Sequence, residues 1–167
     1  IPAYANPEDG VVSAGSATIT TTVKNVDIHQ SSNRAIIDWR SFDIAPDETT
    51  RFHQPSASAT TLNRVNSANP CTVAGNLQSN GNVILINPNG EFFSKTAHVD
   101  VNGLVATTAN IDNSEFMAGS TTFNRPGNPD AAIVNEGRIT AREAGLVGLV
   151  APRVENSGTI SARLGRV

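Results

Sequence analysis

Four carboxylates, Asp38, Asp43, Asp47 and Glu48, make the densest group of side chains able to do acid–base work. A polysaccharide-cleaving site needs clustered carboxylates on one solvent face, often beside Ca2+ or a basic residue. These four run from a strand-like segment into a loop, where solvated charge accounts for them. His29, His53 and His98 lack the spacing of metal ligands. The chain also lacks a nucleophile elbow, a phosphate loop and a zinc-protease string. No catalytic residue, cofactor or metal is therefore expected. The lone cysteine, Cys71, excludes an internal disulfide and reads as a half-buried small hydrophobe. The most specific local string is Ile86-Asn87-Pro88-Asn89-Gly90. Pro88 presets φ at one corner of a turn, and Asn89-Gly90 tolerates left-handed geometry.

The elements that must position these residues are strands in a repeating frame. Asn135-Glu136-Gly137-Arg138-Ile139-Thr140-Ala141-Arg142 returns 21 residues later as Asn156-Ser157-Gly158-Thr159-Ile160-Ser161-Ala162-Arg163. Asn80-Gly81-Asn82-Val83 returns 22 residues later as Asn102-Gly103-Leu104-Val105. Self-similarity at this period marks a solenoid. Inside each repeat Ile139 and Ala141 alternate with Arg138, Thr140 and Arg142, the period of a strand. The leucines of a leucine-rich repeat are absent. A parallel β-helix coil of three short strands and three turns uses this length, with coils stacked at about 4.8 Å. About eight coils would account for the chain at this period. Ile139 is then expected beneath Ile160, and Asn135 beneath Asn156 in a side-chain amide ladder. Gly137 and Gly158 are expected at positive φ.

Further strand candidates are Thr18–Val23, Arg34–Ile44, Val99–Val105, Ile133-Val134 and Leu146–Val150. Val83–Ile86 is a continuous apolar run, as in a strand buried on both faces. No segment shows helical periodicity. Ala45–Thr50 leads into Arg51–Ala59, read as a hairpin or excursion, and Asn124–Asp130 is a turn-rich loop. Residues 6–30 are the candidate cap for the first coil's open edge, within a single domain spanning 6–167. The small-x-small triplet Ala3-Tyr4-Ala5 reads as the tail of a signal peptide covering residues 1–5; the alternative is an ordinary terminus. The chain stops in mid-pattern at Leu164-Gly165-Arg166-Val167, which predicts further β-helical repeats downstream.

Composition agrees with a solenoid: hydrophobic residues are 38% and aromatics 5% of the 167 residues, thin for a globular core but sufficient for a narrow aliphatic stack. A net charge of −3 without a basic stripe argues against nucleic acid as a partner. No apolar run approaches the roughly 18 residues of a membrane-spanning helix.

Several strings in order resemble the N-terminal two-partner-secretion domain of filamentous haemagglutinins, large adhesins and secreted haemolysins. They are Ala35–Ile44, Phe52–Ala59, Leu62-Asn63-Arg64-Val65, Gly81–Gly90, Gly103–Thr108 and Val134 through Arg163. The resemblance implies an all-β, right-handed parallel β-helix with an N-terminal cap and extra-helical strands. It implies export into the periplasm and capture there by the POTRA domains of an Omp85-type outer-membrane transporter. Folding at the cell surface would begin here and template the downstream repeats. Asn87, Pro88, Asn89 and Gly90 are the expected secretion motif, acting in recognition or only in folding. Asn63, Arg64, Asn69 and Pro70 are secondary candidates. Two departures stand out. Glu91 follows the turn where the family carries a small aliphatic residue. A second Asn-Pro motif is missing, although Asn69-Pro70-Cys71 stands nearby, which points to the adhesin-like branch. Rival functions are a polysaccharide-active or a glycan-binding β-helix, with a host-surface glycan or protein as partner. The cargo is open among adhesin, haemolysin and toxin.

Overall fold

The structure, a computed structural model, describes residues 5–167. Of the expected leader remnant, Ile1–Tyr4 lie outside the described residues. Two strands, β1 (Val11–Ala14) and β2 (Ala17–Thr21), precede the coils. The first coil comprises β3 (Asn25–Gln30) and β4 (Arg34–Trp39), closed on its third side by a single bridge from Ile44 to Val73. The second contains β5 (Thr49–His53), β6 (Thr60–Val65) and β7 (Cys71–Val73). The third contains β8 (Asn76–Ser79), β9 (Asn82–Ile86) and β10 (Glu91–Phe93). The fourth runs through β11 (His98–Val101) and β12 (Gly103–Thr107), leaves the frame for helix α1 (Asn113–Met117), and returns as β13 (Ala132–Asn135). The fifth is β14 (Arg138–Ala141), β15 (Val147–Val150) and β16 (Arg153–Asn156), and β17 (Thr159–Ala162) opens a sixth.

Equivalent strands stack into three parallel sheets, so the chain is a parallel β-helix. One sheet holds β3, β5, β8, β11, β14 and β17, with β2 added antiparallel to β3. Another holds β4, β6, β9, β12 and β15, with β1 added antiparallel to β4. The third holds β7, β10, β13 and β16. Within the stretch expected as cap, β1 and β2 cover the edge of the first coil, whereas β3 already belongs to that coil.

Period-two alternation explains each strand. In β14, Ile139 and Ala141 are buried while Arg138 is exposed, and Ile139 pairs in register with Ile160 as well as Val99. The interior is a dry column that includes Ile28, Phe52, Leu77, Val99 and Ile139. It also holds Trp39 and Phe42, whose rings meet edge to face at 5.6 Å.

Several expectations are corrected. There are about six coils rather than eight, because residues before β3 and residues 108–131 lie outside the coil frame. Arg51–Ala59 is not an excursion: β5 pairs in register with β3 and β8, and Thr50 and Phe52 point inward. The excursion is residues 108–131, closed by an antiparallel bridge between Asn110 and Arg125. It carries a helix, whose five residues are too few to show a 3.6-residue period. Finally, the Asn-Gly repeat does not keep one offset. Gln78 pairs with Asp100, but Gly103 pairs with Asn82, so the chain absorbs one extra residue at the corner between β8 and β9.

The excursion explains why β9 is apolar on both faces. Val83 and Leu85 enter the interior, while Ile84 and Ile86 face outward. A second cluster forms there as Phe116 of α1 packs with Ile36, Leu62, Ile84, Ile86 and Ile111. The Arg34 guanidinium lies 4.1 Å from the Phe116 ring centroid, in cation–π geometry.

Gly137 and Gly158 are not at positive φ; the glycines that are include Gly15, Gly90 and Gly119. The reason for glycine at the two repeat corners is stacking. A Cβ on Gly158 would stand 2.1 Å from the Gly137 carbonyl oxygen, and one on Gly137 would stand 2.4 Å from that of Ser94. Gly137→Ala is expected to cost about 1–3 kcal/mol through this overpacking, read as a lower urea midpoint. Phe116→Ala is expected to cost about 3 kcal/mol or more and to raise hydrogen exchange across 108–131 selectively.

Candidate functional site

The Asn-Pro-Asn-Gly string forms the corner between β9 and β10. The Asn87 N–H donates to the Thr107 carbonyl at 3.1 Å, continuing the β9–β12 ladder by one residue. The Asn87 carbonyl then accepts the Gly90 N–H at 3.0 Å, closing a four-residue turn with Pro88 at its second position. The Asn87 side chain is fully buried. Its Oδ1 accepts the Asn89 N–H at 2.9 Å, and its Nδ2 donates to the Asn69 carbonyl at 3.1 Å. Asn89 Nδ2 donates to the Ser67 carbonyl at 2.7 Å. Both amides therefore bind the corner of the coil below. Left-handed geometry falls on Gly90 alone, at φ +106°, where a Cβ would also stand 2.4 Å from the Ala132 carbonyl oxygen.

The end of the excursion completes the packing. The Asn128 N–H donates to the Pro88 carbonyl at 2.9 Å. A Cβ on Gly127 would meet the Thr108 carbonyl oxygen at 2.3 Å and Pro88 Cα at 2.9 Å. The turn is thus clamped between residues 66–70 and 127–132, leaving Pro88 and Asn89 half-buried.

The other candidates divide. Asn69 joins the motif through its backbone carbonyl, and Asn69 and Pro70 are exposed. Asn63 and Arg64 lie on β6, away from the turn. Asn63 points into the coil, where its Oδ1 accepts the Trp39 indole N–H at 2.9 Å and its Nδ2 donates to the Ile84 carbonyl at 3.2 Å. Arg64 points out and ties the excursion down, reaching Asp38 at 3.1 Å, Asn110 Oδ1 at 3.0 Å and the Ile111 carbonyl at 2.9 Å. Asn135 Nδ2 donates to Asn156 Oδ1 at 2.9 Å, a two-rung ladder whose amide oxygens also take the N–H groups of Gly137 and Gly158.

The four clustered carboxylates do not converge. Asp38 pairs with Arg64, Asp43 accepts the Thr72 N–H, Asp47 pairs with Lys24, and Glu48 accepts the Ala45 N–H. Glu48 is buried rather than solvated. Among the described residues no group of three or more His, Cys, Asp or Glu is placed to hold a metal.

Two features escaped the sequence. His29 and His53 are partners across β3 and β5, and their rings stack at 4.3 Å and 5°. Glu91, next to Gly90, is 1% exposed and points into the core. It pairs with Cys71 below and Ile133 above. Cys71 is fully rather than half buried, and its thiol is pushed well up by desolvation and by the neighbouring Glu91. Desolvation likewise pushes the Glu91 carboxyl well up from its ordinary range.

Comparison with known proteins sets this corner in a family. The family described as TPS secretion domain matches residues 3–164. The chain belongs to that family. Its coordinates superpose on the crystal structure of the HMW1 secretion domain of Haemophilus influenzae with a TM-score of 0.86. The two are 35% identical, over 94% of this chain and 42% of that one. Two curated relatives are heme/hemopexin-binding proteins of Haemophilus influenzae. One is 38% identical over 74% of this chain, the other 34% over 93%. The matched regions are 13% and 18% of those relatives' lengths, so this TPS domain corresponds to under one fifth of each. Exoproteins bearing TPS domains are secreted through the outer membrane with a partner transporter. No helix among the described residues is long and apolar enough to cross a membrane.

The amide bonds give unequal weights to the motif residues. Asn87→Ala strands a buried carbonyl and a turn N–H, an expected loss of about 1–3 kcal/mol. Asn69→Ala removes a side chain that the turn does not use and is expected to leave the urea midpoint within about 0.5 kcal/mol of wild type. Equal losses for the two variants would contradict the arrangement of the corner.

Proposed function

We propose that this TPS domain is read by the periplasmic POTRA domains of an Omp85-type transporter while still extended, and that it closes into coils only after crossing the outer membrane. The observation that carries this reading is the burial of Asn87. Both of its side-chain polar atoms are spent on the corner and on the coil below, so the folded domain hides the most specific residue of the motif. A partner that recognises Asn87 must meet the chain before coil closure. Strand addition suits that encounter, because an extended peptide offers main-chain hydrogen bonds to a sheet edge and alternate side chains to pockets. Segments such as Thr18–Val23 and Val83–Asn87 have the β-branched, short polar composition for it. Slow closure favours the same order of events, since nearly every strand pairs with one some twenty residues away and must pay loop closure first.

Outside the cell, each closed coil would offer its parallel sheet edges to the next, so that the domain nucleates downstream β-helical repeats at the cell surface. Asn63 and Arg64 serve folding in this reading, one inside the coil and one holding the excursion. The test is co-expression with the transporter, measuring release into the medium. Asn87→Ala is expected to lower release at least about tenfold while the purified variant keeps the wild-type circular dichroism spectrum at low temperature. Normal release of that variant rejects the turn as a recognition element.

One observation favours a second reading, a glycan-binding face. An open groove of about 490 Å3 on the seven-stranded sheet is lined by Arg51, His53, Gln78, Asn80, Asp100 and Arg142. Its mixed donors and acceptors on a rigid sheet have the chemistry of a saccharide subsite. Binding of the isolated domain to a glycan array, lost in Arg142→Ala, would establish this role beside the export one.

A further inference from the structure

Glu91 is the least expected residue in the interior. It occupies an inward position of the third coil, flanked in register by Cys71 and Ile133, and neither carboxyl oxygen has a hydrogen-bond partner. Of the strands beside it, β7 brings the Cys71 thiol, which donates to the Gly90 carbonyl instead, and β13 brings the aliphatic Ile133. Asp43 is a further acid whose charge reaches Cys71, and it is held by the Thr72 N–H. Asn87 supplies the adjacent amide, already committed to Asn69 and Asn89. Nothing in this cluster compensates a negative charge. A carboxylate cannot stay ionised here without a severe desolvation cost, whereas a neutral carboxylic acid costs no more than another unpaired polar group.

We propose that Glu91 is a proton-linked brake on closure of the coil that carries the Asn-Pro-Asn-Gly turn. The unfolded chain carries Glu91 as a carboxylate at neutral pH, and closing the coil requires that oxygen to take one proton from solvent. Neutral medium thereby holds back the coil that adjoins the motif, keeping the motif extended for longer; this export role rests on the reading proposed above. The direction follows from linkage. Burial raises the folded value above the ordinary 4.5 of the free side chain. The contribution to stability is thus complete below pH about 4.5 and declines as pH rises toward the folded value, with the folding constant falling about tenfold per pH unit.

The experiment is urea unfolding of the 167-residue chain and of E91Q between pH 5 and 8, without transporter. E91Q is neutral throughout and nearly isosteric. The ratio of the two folding constants is expected to grow with pH in favour of E91Q above pH 5, at about tenfold per pH unit while pH stays below the folded value; contributions common to both chains cancel. Parallel pH curves overturn the proposal. Infrared spectroscopy of the wild type at pH 7 gives a second reading that does not depend on the variant folding. A protonated-carboxyl band is expected in the native chain, retained in D43N and lost in urea; its absence overturns the proposal. With the transporter present, E91Q is expected to be released less than wild type at neutral pH. Equal release despite the altered pH curve overturns the export role of the brake while leaving the titration itself established.

Discussion

Every corner of this molecule is governed by one distance, the rise of about 4.8 Å between stacked parallel strands. Successive corners must lie almost in van der Waals contact, backbone upon backbone. Where a corner turns inward against its neighbour, only a hydrogen atom fits on Cα, as at Gly158 above Gly137. Where a corner leaves carbonyls unpaired, a side-chain amide from the next coil must reach them, as Asn87 reaches Asn69 and Asn89 reaches Ser67. The Asn-Pro-Asn-Gly turn applies this rule at full strength, with a fixed φ, two reaching amides and one left-handed glycine in four residues. Its sequence specificity is explained by stacking before any partner is invoked.

The same constraint decides what could be read in advance. Alternation showed the strands because one face of each must enter the column, and the 21-residue repeat placed Ile139 on Ile160 because stacked coils require like on like. Gly137 and Gly158 were recognisable as corners, yet the reason for glycine there depends on an atom in another coil. Helix α1 was invisible because a single turn has no period to detect. Arg51–Ala59 reads as an excursion, and Pro55 with Ser56 and Ser58 has the composition of a loop. In fact Thr50 and Phe52 alternate into the core, and the true departure from the frame lies at 108–131. The outward pair Ile84 and Ile86 was the available clue: a solenoid strand apolar on its outer face needs a cover, and the cover had to come from elsewhere in the chain.

The candidate residues separate along the same lines. Sequence proximity placed Asn63 with Arg64, but neighbours on a strand face opposite sides, so one satisfies the Trp39 indole inside while the other anchors the excursion outside. Asn69 and Asn87 are 18 residues apart and share a hydrogen bond. His29 and His53 stack across adjacent strands. In a solenoid, residues about one coil apart touch more reliably than residues two apart, so site residues should be sought at the coil period rather than in local strings.

Polar groups in the interior sharpen the argument about folding order. Asn63 and Asn135 each find partners on the backbone or on a neighbouring side chain, so burying them specifies register at little net cost. Such bonds exist only when two coils are in place, because the acceptor belongs to a different turn of the chain. A single coil would leave Asn63 without the Trp39 and Ile84 partners and Asn135 without Asn156. A coil closed alone therefore lacks bonds that two coils in register supply, which favours closure of coils in pairs. The export of an extended chain proposed above would draw on this dependence, because a β-helix that holds its register through inter-coil amides gains those bonds only once neighbouring coils meet.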